Sequence, residues 1–155
     1  MRRTLLFTGI LAAALAGSAA ITGVSLAQSP ADVVAARQQA MKDKSAAVFR
    51  TMRPFVQNGT GSLAAVQAAA ETLASHNGKY QALWPRGTEL GVAGSKTRPE
   101  LWQQTDRLNQ LIADMERNAT AMAVAARSGD AGQIRTAFGG VVGSCNACHD
   151  AYQSR

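Results

Sequence analysis

Apolar residues in the first third of the chain recur at alternating steps of four and three, the spacing that predicts an amphipathic helix. Asp32 is the expected N-cap of this helix, and Asn58-Gly59 is its expected stop. Pro54 falls in the last turn, where it offers no backbone N–H, and it is expected to bend or end the helix. The predicted inward seam comprises Val34, Gln38, Met41, Ser45, Val48, Met52 and Phe55.

A second helix with the same spacing follows Ser62, whose hydroxyl suits the N-cap position. We expect it to continue through Tyr80 and to end before Trp84-Pro85. Residues 85–98 contain three glycines and no regular apolar period, which predicts a long loop.

Two further helices are predicted in the second half of the chain. The third begins at Pro99, which suits a first helical turn, and closes at Ser128-Gly129. The fourth begins at Asp130 and carries its seam to the end of the chain. Three glycines weaken it as a free helix and leave room for a large planar group near the backbone: Gly139, Gly140 and Gly143.

Four amphipathic helices with two short connections and one long one predict an all-α, antiparallel four-helix bundle. No strand-like alternation, internal repeat or low-complexity linker interrupts this pattern. The chain has 155 residues, which suits one domain, and only 5% of them are aromatic, which favours helices over sheet.

Residues 1–27 have the pattern of a secretory signal rather than of the folded domain. Arg2 and Arg3 form a basic start, an uncharged apolar run extends to Val24, and small residues precede a cleavage site after Ala27. The alternative is a retained membrane anchor, but glycine and serine dilute the run. We expect cleavage there, so that the folded domain is 28–155, exported to the periplasm without membrane insertion.

Removal of that segment takes away two basic residues and leaves a net charge of +4. So small an excess does not indicate nucleic-acid binding. It is compatible with docking to an acidic redox partner protein, although a mildly basic solvated surface explains it equally well.

The chemistry of the chain is concentrated in Cys145-Asn146-Ala147-Cys148-His149. On a helix, residues three and four apart share one face, so both thiols point the same way and the imidazole lies beside the second. This motif is typical of covalent c-type haem attachment, with His149 as the proximal iron ligand. A disulfide, a zinc site and a thiol-exchange site are weaker readings, because the next residue is histidine, the chain has too few other ligands, and no strand precedes the motif.

The sixth position of the iron has two candidate residues. His76 lies beside Asn77-Gly78 near a helix end, where a solvated histidine is the simpler interpretation. Met41 lies on the first seam, and its thioether is suited either to bind the iron or to block that face.

Several stretches of the chain resemble the class II c-type cytochromes, and specifically the cytochrome c′ family. The resemblance rests on the stretch from Ala137 to Tyr152, on the Arg37-Gln38 pair followed by Met41, and on the loop around residues 97–102. It implies an up-down four-helix bundle with one haem c, held through Cys145 and Cys148.

The resemblance also implies several contacts with the haem. Arg37 and Gln38 are expected at the haem edge and propionates, where a guanidinium pairs well with a carboxylate. Thr97 matches a loop position that approaches the haem, and Trp84 is expected either near the haem or as a capping core residue. Many family members carry a cation where this chain has Gln153, which leaves any role for a proximal cation in doubt.

In function, the resemblance implies a non-enzymatic haem protein that transfers electrons and binds NO or CO on a vacant iron face. The alternative is a low-spin electron carrier in which Met41 is the sixth ligand. Members of the family often form homodimers, and the sequence leaves that state open here.

Overall fold

The computed structural model of the protein describes residues 28–155, so the predicted signal segment lies outside the described residues. The first long helix consists of α1 (Pro30–Ser45), a π-helical stretch (Ala46–Met52) and α2 (Arg53–Asn58). Right-handed helical backbone continues through both junctions, at Ala46 and at Arg53. The three pieces therefore form one continuous helix, as the spacing predicts.

The start of this helix differs from the prediction. Ser29, not Asp32, is the N-cap: its side chain accepts a hydrogen bond from the Asp32 backbone N–H, while the Asp32 carboxylate accepts from the Ser29 N–H at 3.2 Å. This reciprocal capping box, followed by Pro30 in the first turn, satisfies two of the exposed N–H groups. Asp32 thus serves at the third helical position instead.

Pro54 does not end the helix, which continues to Asn58 and stops at Gly59 with left-handed backbone (φ 66°). The π-helical stretch comes immediately before Arg53-Pro54. A wider turn shifts the hydrogen-bond register, so it accommodates a residue that has no N–H and whose ring crowds the preceding turn.

The second bundle helix, α3 (Leu63–Ala74), is capped by Ser62 as predicted, but it is shorter than its seam. Asn77 and Gly78 leave the helix to bond α4 instead: the Asn77 amide donates to the Glu116 carbonyl, and the Gly78 N–H donates to the Glu116 carboxylate at 2.7 Å. Tyr80 nevertheless stays buried, because the chain turns back through a short 3-10 helix, Gln81–Leu83.

The connection over residues 85–98 is a long loop with one 3-10 turn, Val92–Gly94. Pro99 opens a separate 3-10 turn, Pro99–Trp102, rather than the third bundle helix, which is α4 (Thr105–Ser128). α5 (Ala131–Tyr152) follows directly and is capped by Asp130, as predicted.

These helices pack as an antiparallel up-down bundle in which α4 lies against both α3 and α5, and the π-helical stretch packs on α3. No helix within residues 28–155 is long and apolar enough to cross a membrane. The core has two parts. One lies among the π-helical stretch, α3, α4 and α5; the other contains Tyr80, Leu101, Trp102, Leu108 and Tyr152.

The buried face of α1 overlaps the predicted seam only in part: Val34 is buried as predicted and Met41 is half-buried. Gln38 and Ser45 are exposed, whereas Arg37 and Lys44 are 4% and 5% exposed. The helix thus presents two cations, seven residues apart, to the interior. Both lie beside the functional site.

Candidate cofactor site

The Cys-x-x-Cys-His motif lies in the last two turns of α5, at the junction of the two core regions. Cys145 packs against the first region and Cys148 against the second. Two cavities, of about 270 and 130 Å³, meet here and share four lining residues: Met41, Trp84, Cys148 and His149. The motif therefore borders a space between the halves of the core.

Both cysteines are free thiols and half-buried. Burial raises the pKa of each, and the Lys44 ammonium opposes that shift. They stand one turn apart on the same face of α5, so both can react with one group in the cavity. The two cysteines are not joined to each other by a disulfide, so both thiols are available to a cofactor.

His149 follows on the same helical face and lines both cavities. His149 is an exposed residue that is only partly desolvated by its neighbours; this desolvation lowers the pKa of His149, while Asp150 opposes the shift and Lys44 reinforces it. Neutral imidazole is the form that binds metals, so the surroundings favour a ligating histidine.

The loop is joined to the end of this helix by main-chain hydrogen bonds. Thr97 and Gln153 form an isolated antiparallel bridge. The Arg98 N–H donates to the Tyr152 carbonyl at 2.9 Å, and the Ser154 N–H donates to the Lys96 carbonyl at 2.8 Å. These bonds hold the loop wall of the larger cavity in register with the motif.

Arg37 organises the same loop from inside. Its Nη1 donates to the Leu83 carbonyl and the Thr88 hydroxyl, and its Nη2 donates to the Thr88 carbonyl and the Ser95 hydroxyl, at 2.8 to 3.1 Å. The guanidinium also lies 4.7 Å from the Trp84 ring centroid. Four of its five N–H groups are thus committed to the protein.

The other predicted site residues reach the cavities in different ways. Gln38 is exposed and Thr97 is buried, and both line the larger cavity; the Gln38 amide makes a long bond of 3.4 Å to the Gly94 carbonyl. Met41 is half-buried and lines both cavities. His76 lines neither; it follows the end of α3, and its Nδ1 lies 2.9 Å from the carbonyl oxygen of Thr72 in that helix. The glycines of α5, which were expected to leave room for a planar group, do not line either cavity. Gly140 instead allows close packing against Asn118 of α4.

Sequence reasoning missed Lys44, Tyr80 and Met115, which line the smaller cavity. Lys44 is buried with its Nζ 3.7 Å from the Tyr80 ring centroid. Burial lowers the pKa of Lys44 to about 8. The available signal was its spacing: Lys44 stands seven residues after Arg37 and four after Ala40, both buried.

These residues fit a haem. Two free thiols and an imidazole share one helical face on the wall of an apolar space, and two buried polar atoms of that wall have no hydrogen-bond partner among the described residues: Trp84 Nε1 and Lys44 Nζ. Buried polar groups are rarely left unsatisfied, so both indicate a bound group in the cavities. The Cys-x-x-Cys-His motif, set in the core of a helical bundle, assigns this chain to the class of c-type haem proteins.

Comparison with known proteins narrows that class. The family model for cytochrome c′ matches residues 32–153, and the chain belongs to that family; it is a haem c protein. Cytochrome c′ of Alcaligenes xylosoxydans xylosoxydans is 35% identical over 127 residues, 81% of this chain and 96% of that protein.

Solved structures agree with this assignment. A cytochrome c′ with ligand-controlled dimer dissociation has a TM-score of 0.77 at 26% identity, covering 83% of this chain and 99% of its own. The nitric oxide complex of a mutant cytochrome c prime from Alcaligenes xylosoxidans has a TM-score of 0.72 at 33% identity, covering 81% and 97%.

Proposed function

We propose that this chain is a periplasmic mono-haem cytochrome that transfers electrons and binds NO or CO at an open iron face. When bound, the haem supplies an iron atom that changes oxidation state and takes up diatomic ligands. The observation that carries the proposal is the pair of joined cavities that have His149 in their wall and Met41 beside them.

Each residue of the motif has a separate role in this proposal. Cys145 and Cys148 would hold the haem covalently through its two vinyl groups and so fix its position on α5. His149 then offers a neutral imidazole nitrogen as the proximal iron ligand. The bridge between Thr97 and Gln153 keeps the loop against this end of α5, beside the proposed ligand.

Arg37 and Gln38 are proposed to bind the haem propionates. The hydrogen bonds that Arg37 already makes to the protein restrict which of its N–H groups can do so. Because both Nη atoms of Arg37 already donate to the loop, its Nε–H is the donor left for a carboxylate. Trp84 lines both cavities, and its buried, unpartnered Nε1 would supply a second donor.

Met41 is proposed to be a steric gate rather than a ligand. It belongs to the wall of both cavities and so stands where a diatomic ligand would enter. A relative of this chain has been solved as a nitric oxide complex, which supports the same use of the cavity here.

A second function has one observation in its favour. The half-buried Met41 side chain carries a thioether, a normal haem iron ligand, into both cavities. Ligation by Met41 would close the open face and make the protein a pure electron carrier.

The visible spectrum of the haem-loaded protein separates these functions. We expect a high-spin ferric spectrum, and a reduced spectrum that shifts on addition of CO. Met41→Leu keeps the size of the side chain and removes the sulfur, so it should leave the high-spin spectrum unchanged. Met115→Leu, in the wall of the smaller cavity, is the matched control for a second thioether.

A low-spin spectrum with a thioether-to-iron charge-transfer band and no response to CO would favour the second function. In that case Met41→Leu would become high-spin and Met115→Leu would not. A product without covalently retained haem would contradict both functions.

We also propose export by the segment of residues 1–27 and docking to a redox partner protein. The net charge of +4 after cleavage suits an acidic partner surface. A homodimer is a further proposal, supported by the ligand-controlled dimer described for a structural neighbour. Cell fractionation and ultracentrifugation with and without CO test these points.

A further inference from the structure

Lys44 is an internal cation that the proposed function does not use. It is 5% exposed, and its Nζ makes no hydrogen bond within the described part of the chain. It takes part in neither of the two ion pairs formed among residues 28–155. An ammonium buried in this way is costly unless another group compensates it.

The structure provides only part of that compensation. The Tyr80 ring lies 3.7 Å from the ammonium and offers a cation–π contact. That contact uses one side of the ammonium, which has three N–H donors. Donors therefore remain for a further group on the side of the smaller cavity, which Lys44 lines together with Met41.

The position of Lys44 indicates what that group is. Lys44 lines the cavity that contains both Cys145 and Cys148, so it lies on the thioether side of a haem held there. Haem propionates are on the opposite edge of the macrocycle from its vinyl groups. Arg37, Gln38 and Thr97 line the larger cavity, which does not include Lys44, so the propionates have donors elsewhere.

Lys44 and Met41 stand one turn apart on α1, and both line the smaller cavity together with His149 on α5. A ligand on the open iron face would therefore enter a space that has a buried positive charge in its wall. We propose that Lys44 makes this cavity a binding site for small anions, such as azide, held at the iron by the Lys44 ammonium. The inference rests on the proposed function, since it needs the haem on Cys145, Cys148 and His149.

Azide binding to the ferric haem protein, followed in the visible spectrum, tests the site. Lys44→Met keeps the length of the side chain and removes the charge, and a ferric spectrum identical to that of wild type shows that the new thioether does not bind the iron. Loss of one charge-assisted hydrogen bond should weaken azide binding about tenfold or more, whereas CO binding to the reduced protein should change less than about threefold. Lys79→Met removes an exposed lysine and should change neither.

Salt provides a second measurement that needs no variant. Buried charges are screened little, so azide affinity of the wild-type protein should be nearly constant between low and high ionic strength when the anion of the added salt is too bulky to enter the smaller cavity and compete with azide. If Lys44→Met does not retain haem, Lys44→Gln replaces it and should give a smaller loss in the same direction, because an amide still donates a neutral hydrogen bond.

The outcomes distinguish the two proposals. Normal CO binding with equal azide affinity in wild type and Lys44→Met would overturn the anion site and leave the proposed function intact. A steep fall of azide affinity with the bulky-anion salt would also overturn it, since exposed cations would then be responsible. A protein that binds neither CO nor azide would contradict both proposals.

Discussion

Replacement of Arg37 by methionine tests whether this buried cation holds the loop wall of the cofactor site. The substitution keeps the aliphatic stem and removes four hydrogen bonds of 2.8 to 3.1 Å. Not every acceptor is left without a partner. The Thr88 carbonyl still accepts from the Ser95 hydroxyl, and the Thr88 hydroxyl still donates to the Pro85 carbonyl.

The acceptor that loses its side-chain partner is the Leu83 carbonyl. An unsatisfied, largely buried carbonyl costs about 1–3 kcal/mol, and loss of the contact with the Trp84 ring adds about 1 kcal/mol. Because removal of a buried guanidinium also recovers its desolvation cost, which offsets part of that sum, we expect a net loss of about 1–3 kcal/mol in unfolding free energy.

Guanidinium chloride unfolding of the haem-loaded protein, followed by far-UV circular dichroism, measures this loss. Gln39→Met is the matched control: the residue is exposed on the same helix, gives up one hydrogen bond to Asp43, and should stay within about 0.5 kcal/mol of wild type. In the Arg37→Met variant, the backbone amides of the loop formed by residues 88–95 should also exchange faster with solvent than in the wild-type protein. A change below about 1 kcal/mol, equal to that of the control, would refute the anchoring role of Arg37.

Two further predictions concern the helices themselves. Gly139→Ala should stabilise the protein by about 0.5–1 kcal/mol, because its new methyl group meets open space in a helix interior. Gly140→Ala should gain less or be destabilising, since its methyl would lie 2.7 Å from the Asn118 Oδ1; thermal unfolding of the pair checks this, and equal gains would contradict it. Hydrogen bonds to Ser29 lower the pKa of Asp32, so its stabilising effect is present above pH 3.8 and is lost as the pH falls through the lowered value. The difference in melting temperature between wild type and Asp32→Asn should therefore shrink in acid, and a constant difference would exclude this linkage.

Much of this protein is determined by short-range sequence pattern. The periodic apolar positions, the Ser62 and Asp130 caps and the Gly59 and Gly129 stops are local features, because helix formation and capping involve residues within one turn of each other. The same holds for the cofactor motif. Spacing alone places Cys145 and Cys148 on one helical face, and the structure shows them there, free and half-buried.

Some local predictions failed because a tertiary contact competed with them. The seam of the second helix runs to Tyr80, yet α3 ends at Ala74, since Asn77 and Gly78 bond α4 instead. Both residues lie more than thirty positions away from their partner Glu116. The sequence pattern within α3 therefore cannot predict where the helix ends.

The burial of two cations in the wall of the site was decided only by the tertiary structure. Arg37 and Lys44 are both charged residues of one helix, and a sequence pattern ordinarily assigns such residues to solvent. Their burial follows from groups brought from elsewhere in the chain: the loop carbonyls and hydroxyls that surround Arg37, and the Tyr80 ring beside Lys44. A helix period fixes which residues share a face, but the desolvation and pairing of a charge depend on what packs against that face, and this only the folded chain determines.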